Sequence, residues 1–271
     1  SFLFSQHEYQ KCGFIHSLEN PSRTVNHPPE YNTEYNSPSG YFVIRYNSND
    51  DIPPTQQFVA EAASIADHVK DYITNILDYN QAVDDNEKYY IYIEDRDPGK
   101  YGINTPYNDG TSRTFIVIDN EYEQGEFYVT GTNALEITLA HEFFHAVQRT
   151  YKQPVIGTSS YFYELSSIWI EDVIYPDVND YIYWVSTFFS NPEQNIDDTD
   201  GYSIGLYGHY LTSELVANNN QIFKEIWEEF DASPNNNNNI TAAIDRVLKN
   251  SYETNFINTW VDFCARVMFN Q

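Results

Sequence analysis

The sequence predicts an α+β protein. An N-terminal α/β lobe on a small mixed sheet precedes a mostly helical lobe, with a cleft between them. Two observations predict this. Strand-like and amphipathic helical runs alternate over residues 40–151, and only helical periods follow over residues 152–271. Residues 1–39 are polar and punctuated by proline, and read as an irregular N-terminal arm ending in "NSPSG".

The elements follow in order. "YFVIRYN" (41–47) alternates and is rich in β-branched and aromatic residues, which predicts a strand. The proline pair of "DDIPPTQQ" ends it and prepares a helix start. Val59, Ala62, Ala63, Ala66, Val69, Ile73 and Leu77 then recur at helical spacing, predicting one helix over 56–77. "KYYIYIED" (88–95) and "RTFIVIDN" (113–120) are two further strands, separated by the long Gly/Pro/Asn loop "RDPGKYGINTPYNDGTS". A helix over 133–151 closes the lobe. Beyond "KQPVIGTSS", helical periods mark 161–175, 180–190, 203–219, 221–230, 240–250 and 256–269.

Composition excludes several classes. With 14 basic against 40 acidic residues the formal charge is −26, which repels nucleic acid and anionic membrane surfaces. No apolar run reaches the roughly 18–20 residues that span a bilayer. A soluble monomer is expected. Acidic, Tyr- and Asn-rich composition suggests a secreted chain, and in that setting Cys12 and Cys264 are expected to form a terminal disulfide. "NIDDTDGYS" (195–203) is rich in oxygen ligands that suit calcium, although its spacing departs from the EF-hand pattern and a solvated turn explains it as well.

One stretch carries chemistry. "ALEITLAHEFFHAVQRTY" (134–151) sets His141 and His145 four residues apart, one above the other on a helix face, where both imidazoles can grip one metal ion. Glu142 lies a step around, within reach of the water that such an ion activates. A catalytic zinc site takes three protein ligands. The third position of one zincin class falls on Tyr151, which fails. "YELSSIWIED" instead offers Glu164, Glu171 and Asp172 on a following helix.

The pattern H-E-x-x-H, then 18 residues, then Glu resembles the gluzincin metallopeptidases, which include thermolysin and the zinc aminopeptidases. "AHEFFHAVQ", "YELSSIWIED" and "YSIGLYGHYL" further resemble a group of secreted, mostly uncharacterised microbial metallopeptidases over residues 40–230. The resemblance implies a zincin-like fold, and zinc held by His141, His145 and Glu164. It also implies Glu142 as general base, and a Tyr or His from a downstream segment as oxyanion donor. Tyr202 is the first choice for that donor and His209 the second. Glu171 is expected to orient a ligating histidine. The resemblance further implies a peptide substrate that adds to an exposed strand edge, with "RTFIVIDN" or "EFYVTG" as candidates. "VTGTNALEI" replaces the aminopeptidase Gly-Ala-Met-Glu-Asn segment, which favours an endopeptidase over an exopeptidase. A zinc aminopeptidase or other amide hydrolase, and a non-catalytic binding module on a peptidase fold, are the alternatives.

Overall fold

The computed structural model describes residues 11–14, 31–107, 109–155, 159–191, 193–234 and 239–269. It is an α+β fold with a mixed five-stranded sheet and eight α-helices among the described residues. The sheet comprises β1 (Thr33–Asn36), β2 (Phe42–Tyr46), β3 (Tyr89–Glu94), β4 (Gly102–Pro106) and β5 (Thr114–Asp119), in the order β1-β2-β3-β5-β4. β2, β3 and β5 run parallel; β1 and β4 flank them antiparallel as the two edges.

Parallel neighbours need a crossover, and α1 (Gln56–Asp71) supplies the one from β2 to β3. Thr55 caps α1 by accepting from Phe58 N at 3.1 Å. Its apolar face, Val59, Ala62, Ala63, Ala66 and Val69, is buried. A π turn, Tyr72–Ile76, extends it.

The next helix, α2 (Gly131–Tyr151), touches α1, β4, β5 and the returning helix α3 (Ser160–Ile174). Because it is wrapped on all sides, nearly every residue from Ala134 to Tyr151 is buried, polar ones included. The helices α4 (Ile182–Ser190), α5 (Gly205–His209), α6 (Gln221–Ala232), α7 (Ile240–Ser251) and α8 (Phe256–Phe269) complete the chain. One hydrophobic cluster runs without a break from Phe42 in β2 to Phe263 in α8, so the two expected lobes share a core.

Several expectations are corrected. The arm is not irregular throughout, because β1 pairs with β2 from Thr33↔Tyr46 to Asn36↔Val43. The long loop contains β4, whose Gly, Asn and Pro are tolerated because it is an edge strand. β5 lies between β3 and β4 and so has no free edge; "EFYVTG" forms no named strand. The helix expected over 203–219 is a 3-10 turn (Tyr202–Ile204), α5 and a π turn (Tyr210–Leu215). Both cysteines are free: Cys12 is buried beside α2 and Cys264 sits half-buried on α8, so the expected disulfide is absent. No helix among the described residues is long and apolar enough to cross a membrane.

Candidate metal centre

The site is assembled from α2, α3 and a short piece of the N-terminal arm. His141, Glu142 and His145 come from α2, and Glu164 projects from the facing first half of α3. His141 Nε2 is 3.0 Å and His145 Nε2 3.5 Å from the same oxygen, Glu164 Oε2. The fourth member is Cys12, whose Sγ lies 3.6 Å from His145 Nε2 and 3.4 Å from Glu142 Oε2. One ligand atom each from Cys12, His141, His145 and Glu164 falls within 4.8 Å of all the others.

The outer nitrogens are fixed. Glu171, two turns beyond Glu164, meets His141 Nδ1 at 2.6 Å. Gln148 Oε1 meets His145 Nδ1 at 2.7 Å. The Gln148 amide nitrogen donates to Tyr163 O at 2.9 Å, Ser167 Oγ at 3.0 Å and Ser166 Oγ at 3.1 Å. That leaves its oxygen as the acceptor, so His145 carries its proton on Nδ1. Both histidines therefore turn Nε2 toward Glu164 Oε2, with their ring orientations held from behind.

The electrostatics favour a cation. Burial opposes charge on His141, yet hydrogen bonds to Glu164 and Glu171 outweigh it and push its pKa up to about 10. Burial likewise opposes charge on Glu164, but His145 and then His141 hold it down at about 2. Burial, then the charges of Glu142 and Glu164, push the Cys12 thiol well up, and it donates to Glu142 Oε2. Glu164 Oε1 and the Tyr202 hydroxyl are both buried, and the Glu164 charge bears on that hydroxyl.

A tetrahedral ion with bonds of about 2.0–2.3 Å sets its ligand atoms roughly 3.3–3.8 Å apart. Three of the six separations, 3.0, 3.5 and 3.6 Å, lie close to that range, and all four atoms lie within 4.8 Å of one another. The donor set, two imidazoles, a carboxylate and a thiol, also suits zinc. A group of this kind could hold a metal ion.

Glu142 is seated by its neighbours. A Cβ at Gly102 of β4 would come 3.0 Å from Glu142 Cγ and 2.8 Å from Thr138 Cγ2, so a glycine leaves the carboxylate its room. Asn104, also in β4, donates to the Glu142 carbonyl at 3.1 Å. The ring of Tyr202 stacks on that of His141 with centroids 6.0 Å apart. Burial and the negative charge of Glu164 push its hydroxyl well up, so it stays a donor. Gly201, at φ +86°, allows this approach: a Cβ there would collide with Tyr161 O and come 2.7 Å from Glu164 Cβ.

His209 is not brought to this cluster. Its Nε2 lies 3.6 Å from Asp172 and its ring packs on Tyr181. Asp172 is eight residues beyond Glu164 on α3, roughly 12 Å along the helix. As α5 follows α3 downward, Gly201 faces Glu164, Gly205 faces Ile168 and His209 reaches Asp172, a full two turns too far. The acidic side chains of "NIDDTDGYS" are engaged within the fold. Asp200 accepts from Ser203 N and Oγ at 3.0 Å, and Asp197 from Thr241 Oγ1 at 3.1 Å.

Sequence reasoning missed Cys12, Gln148 and Phe14. Gln148 had a local signal, being three residues after His145 on the same helix. Cys12 and Phe14 had none, since 133 residues separate Cys12 from His145. The expected cleft is closed at the site, where His141, Glu142, His145 and Glu164 are each 1% exposed or less. The chain matches no protein-family model, and a search of curated proteins finds no significant match.

Proposed function

We propose that the protein is a zinc-dependent endopeptidase with a zincin-like arrangement of sheet and active-site helix. The observation that carries this reading is the convergence of both histidine Nε2 atoms on Glu164 Oε2, with the Glu142 carboxylate beside them. His141, His145 and Glu164 would hold the ion, which when bound supplies Lewis acidity to a peptide carbonyl.

The chain's own groups do the rest. Glu142 Oε2 takes a proton from the attacking water and passes it to the departing amine, the role of a general base turned acid. The Tyr202 hydroxyl, kept protonated, donates to the oxygen on which negative charge develops. Glu171 and Gln148 keep the two imidazoles in one orientation and one protonation pattern. β4 is the sheet edge beside Glu142, and its main chain offers an extended peptide the bonds of an added strand. Burial keeps bulk water away, which strengthens each of these interactions.

One observation favours a second reading. A site closed by four protein ligands is typical of structural zinc, and Cys12 supplies a fourth here. Metal content and digestion together separate the two. Dialysed protein is expected to carry about one zinc per chain, lost in His145→Ala. Zinc-loaded protein carrying Cys12→Ala, Gly13→Pro and Phe14→Ala together, which opens the fourth position and loosens the segment that supplies it, is expected to cut internal bonds of an unfolded protein. If that zinc-loaded variant leaves the substrate intact, the peptidase reading fails and the structural one stands.

A further inference from the structure

The segment Lys11–Phe14 reaches the metal centre from the far end of the chain and is fastened there by main chain and side chains together. Lys11 O accepts from Tyr101 N at 3.2 Å, and Gly13 N donates to Gly102 O at 3.3 Å, so the segment lies parallel along the start of β4. The Lys11 ammonium is buried between Glu171 and Asp180, 2.5 Å from the latter. Phe14 stacks on His145, and the Arg149 guanidinium lies 5.1 Å from its ring on α2. Between these anchors, Cys12 points its sulfur at the ligand atoms.

The geometry points to Cys12 as a fourth ligand of the proposed zinc and to Lys11–Phe14 as a stopper, so that the chain folded in this way is a latent enzyme. This rests on the peptidase reading. A catalytic zinc keeps one position open, and the Cys12 thiolate fills it. Ligation costs the thiol its proton, and release returns one from solvent. The main-chain bonds to Tyr101 and Gly102 deny a peptide the part of β4 nearest Glu142. What the stopper offers the centre is a thiol, so Glu142 has no carbonyl there on which to act. Glu142 itself argues against a merely structural centre. It is a buried carboxylate at the ligand cluster, and its Oε2 accepts from the weak Cys12 donor.

A full chain whose closed arrangement outweighs the open one by about 100 to 1 is about 100-fold less active than an opened variant. Cobalt(II) in place of zinc tests the ligand directly. Parent protein with one cobalt bound is expected to show thiolate-to-cobalt absorption in the near ultraviolet, absent from cobalt-loaded Cys12→Ala and Cys12→Ser. The serine variant keeps the side chain's size and guards against a folding defect. Zinc-loaded variants that carry Cys12→Ala together with Gly13→Pro and Phe14→Ala, a combination that also removes the Gly13 N–H bond to Gly102 and the stack on His145, are expected to digest unfolded casein about 100-fold faster than the parent.

Bound cobalt without the absorption band overturns ligation by Cys12 and leaves the peptidase reading intact. Variants no faster than the parent overturn latency. If they hold zinc and cut nothing, the peptidase reading falls as well. Failure of every form to take up metal overturns both.

Discussion

Phe14 and His145 stack face to face, with ring centroids 4.0 Å apart and planes 6° from parallel. A residue near the start of the chain thus covers a histidine in the middle of the central helix. Phe14 is fully buried and also stacks on Tyr163 at 5.6 Å. Phe14→Ala is expected to lower unfolding free energy by about 3 kcal/mol, as for other buried aromatics cut to alanine. It should also speed alkylation of Cys12, whose sulfur accepts from Phe14 N at 3.3 Å. Denaturant titration and timed labelling in a Cys264→Ser background check the two effects. An unchanged labelling rate would mean that Phe14 does not shield the thiol.

Gln148 holds the outer nitrogen of His145 and is itself held by three acceptors on α3. Gln148→Ala frees the imidazole to rotate and leaves the Tyr163 carbonyl without this donor. Zinc affinity is expected to fall about 10- to 100-fold, the usual effect of losing a group that orients a ligand. Competition with a chromophoric chelator measures it. Equal affinities would show that packing alone orients the ring.

Gly201 permits the turn that lowers Tyr202 onto His141. Alanine there meets two penalties, a positive φ of 86° and a Cβ 2.9 Å from Leu165 N. Gly201→Ala is expected to destabilise by at least about 2 kcal/mol. A thermal melt reads this, and a melting temperature within experimental error of the parent's would refute the strain.

Asp119 ends β5 and is buried; burial pushes its pKa from 3.8 up to about 7, against bonds from Glu121 N and Arg96 N. A carboxyl that binds its proton more tightly in the folded state contributes stability at low pH. That contribution declines as pH rises from 3.8 toward about 7 and is gone above it. The chain's −26 charge pushes stability the same way. Asp119→Asn isolates the local effect: unfolding free energy should depend less on pH between 5 and 7 in the variant than in the parent. Parallel curves for the two proteins would assign the whole slope to net charge.

What the sequence disclosed is what local spacing encodes. The strands at 42–46, 89–94 and 114–119 and the two long central helices lie where period-2 and helical patterns put them. His141 and His145 share a helix face because four residues make about one turn. The contact of Glu171 with His141 follows from α3 returning beside α2, since seven residues from Glu164 is two turns. β4 was hidden because Gly102, Asn104 and Pro106 are turn residues in a window, and only an edge position makes them acceptable in a strand. Cys12 was hidden for a different reason. Its partners are set by how the chain closes on itself, and no residue near it in sequence reports that. Its distance from Cys264 suggested a bond between the chain's two ends, whereas its environment is the ligand cluster in the middle.

The strip of backbone from Lys11 to Gly13 also bears on how copies of the molecule meet. An unpaired sheet edge is a template on which a second chain can grow, the first step toward fibres. At β4 the arm occupies the entry end through Tyr101 and Gly102, and at the other end Pro106 has no N–H to offer. The opposite edge, β1, is four residues long and carries Glu34 paired with Arg45 of β2. Both margins of the sheet are thereby short, charged or already paired, and a chain that lost its hold on Lys11 would expose the longer of them to its neighbours.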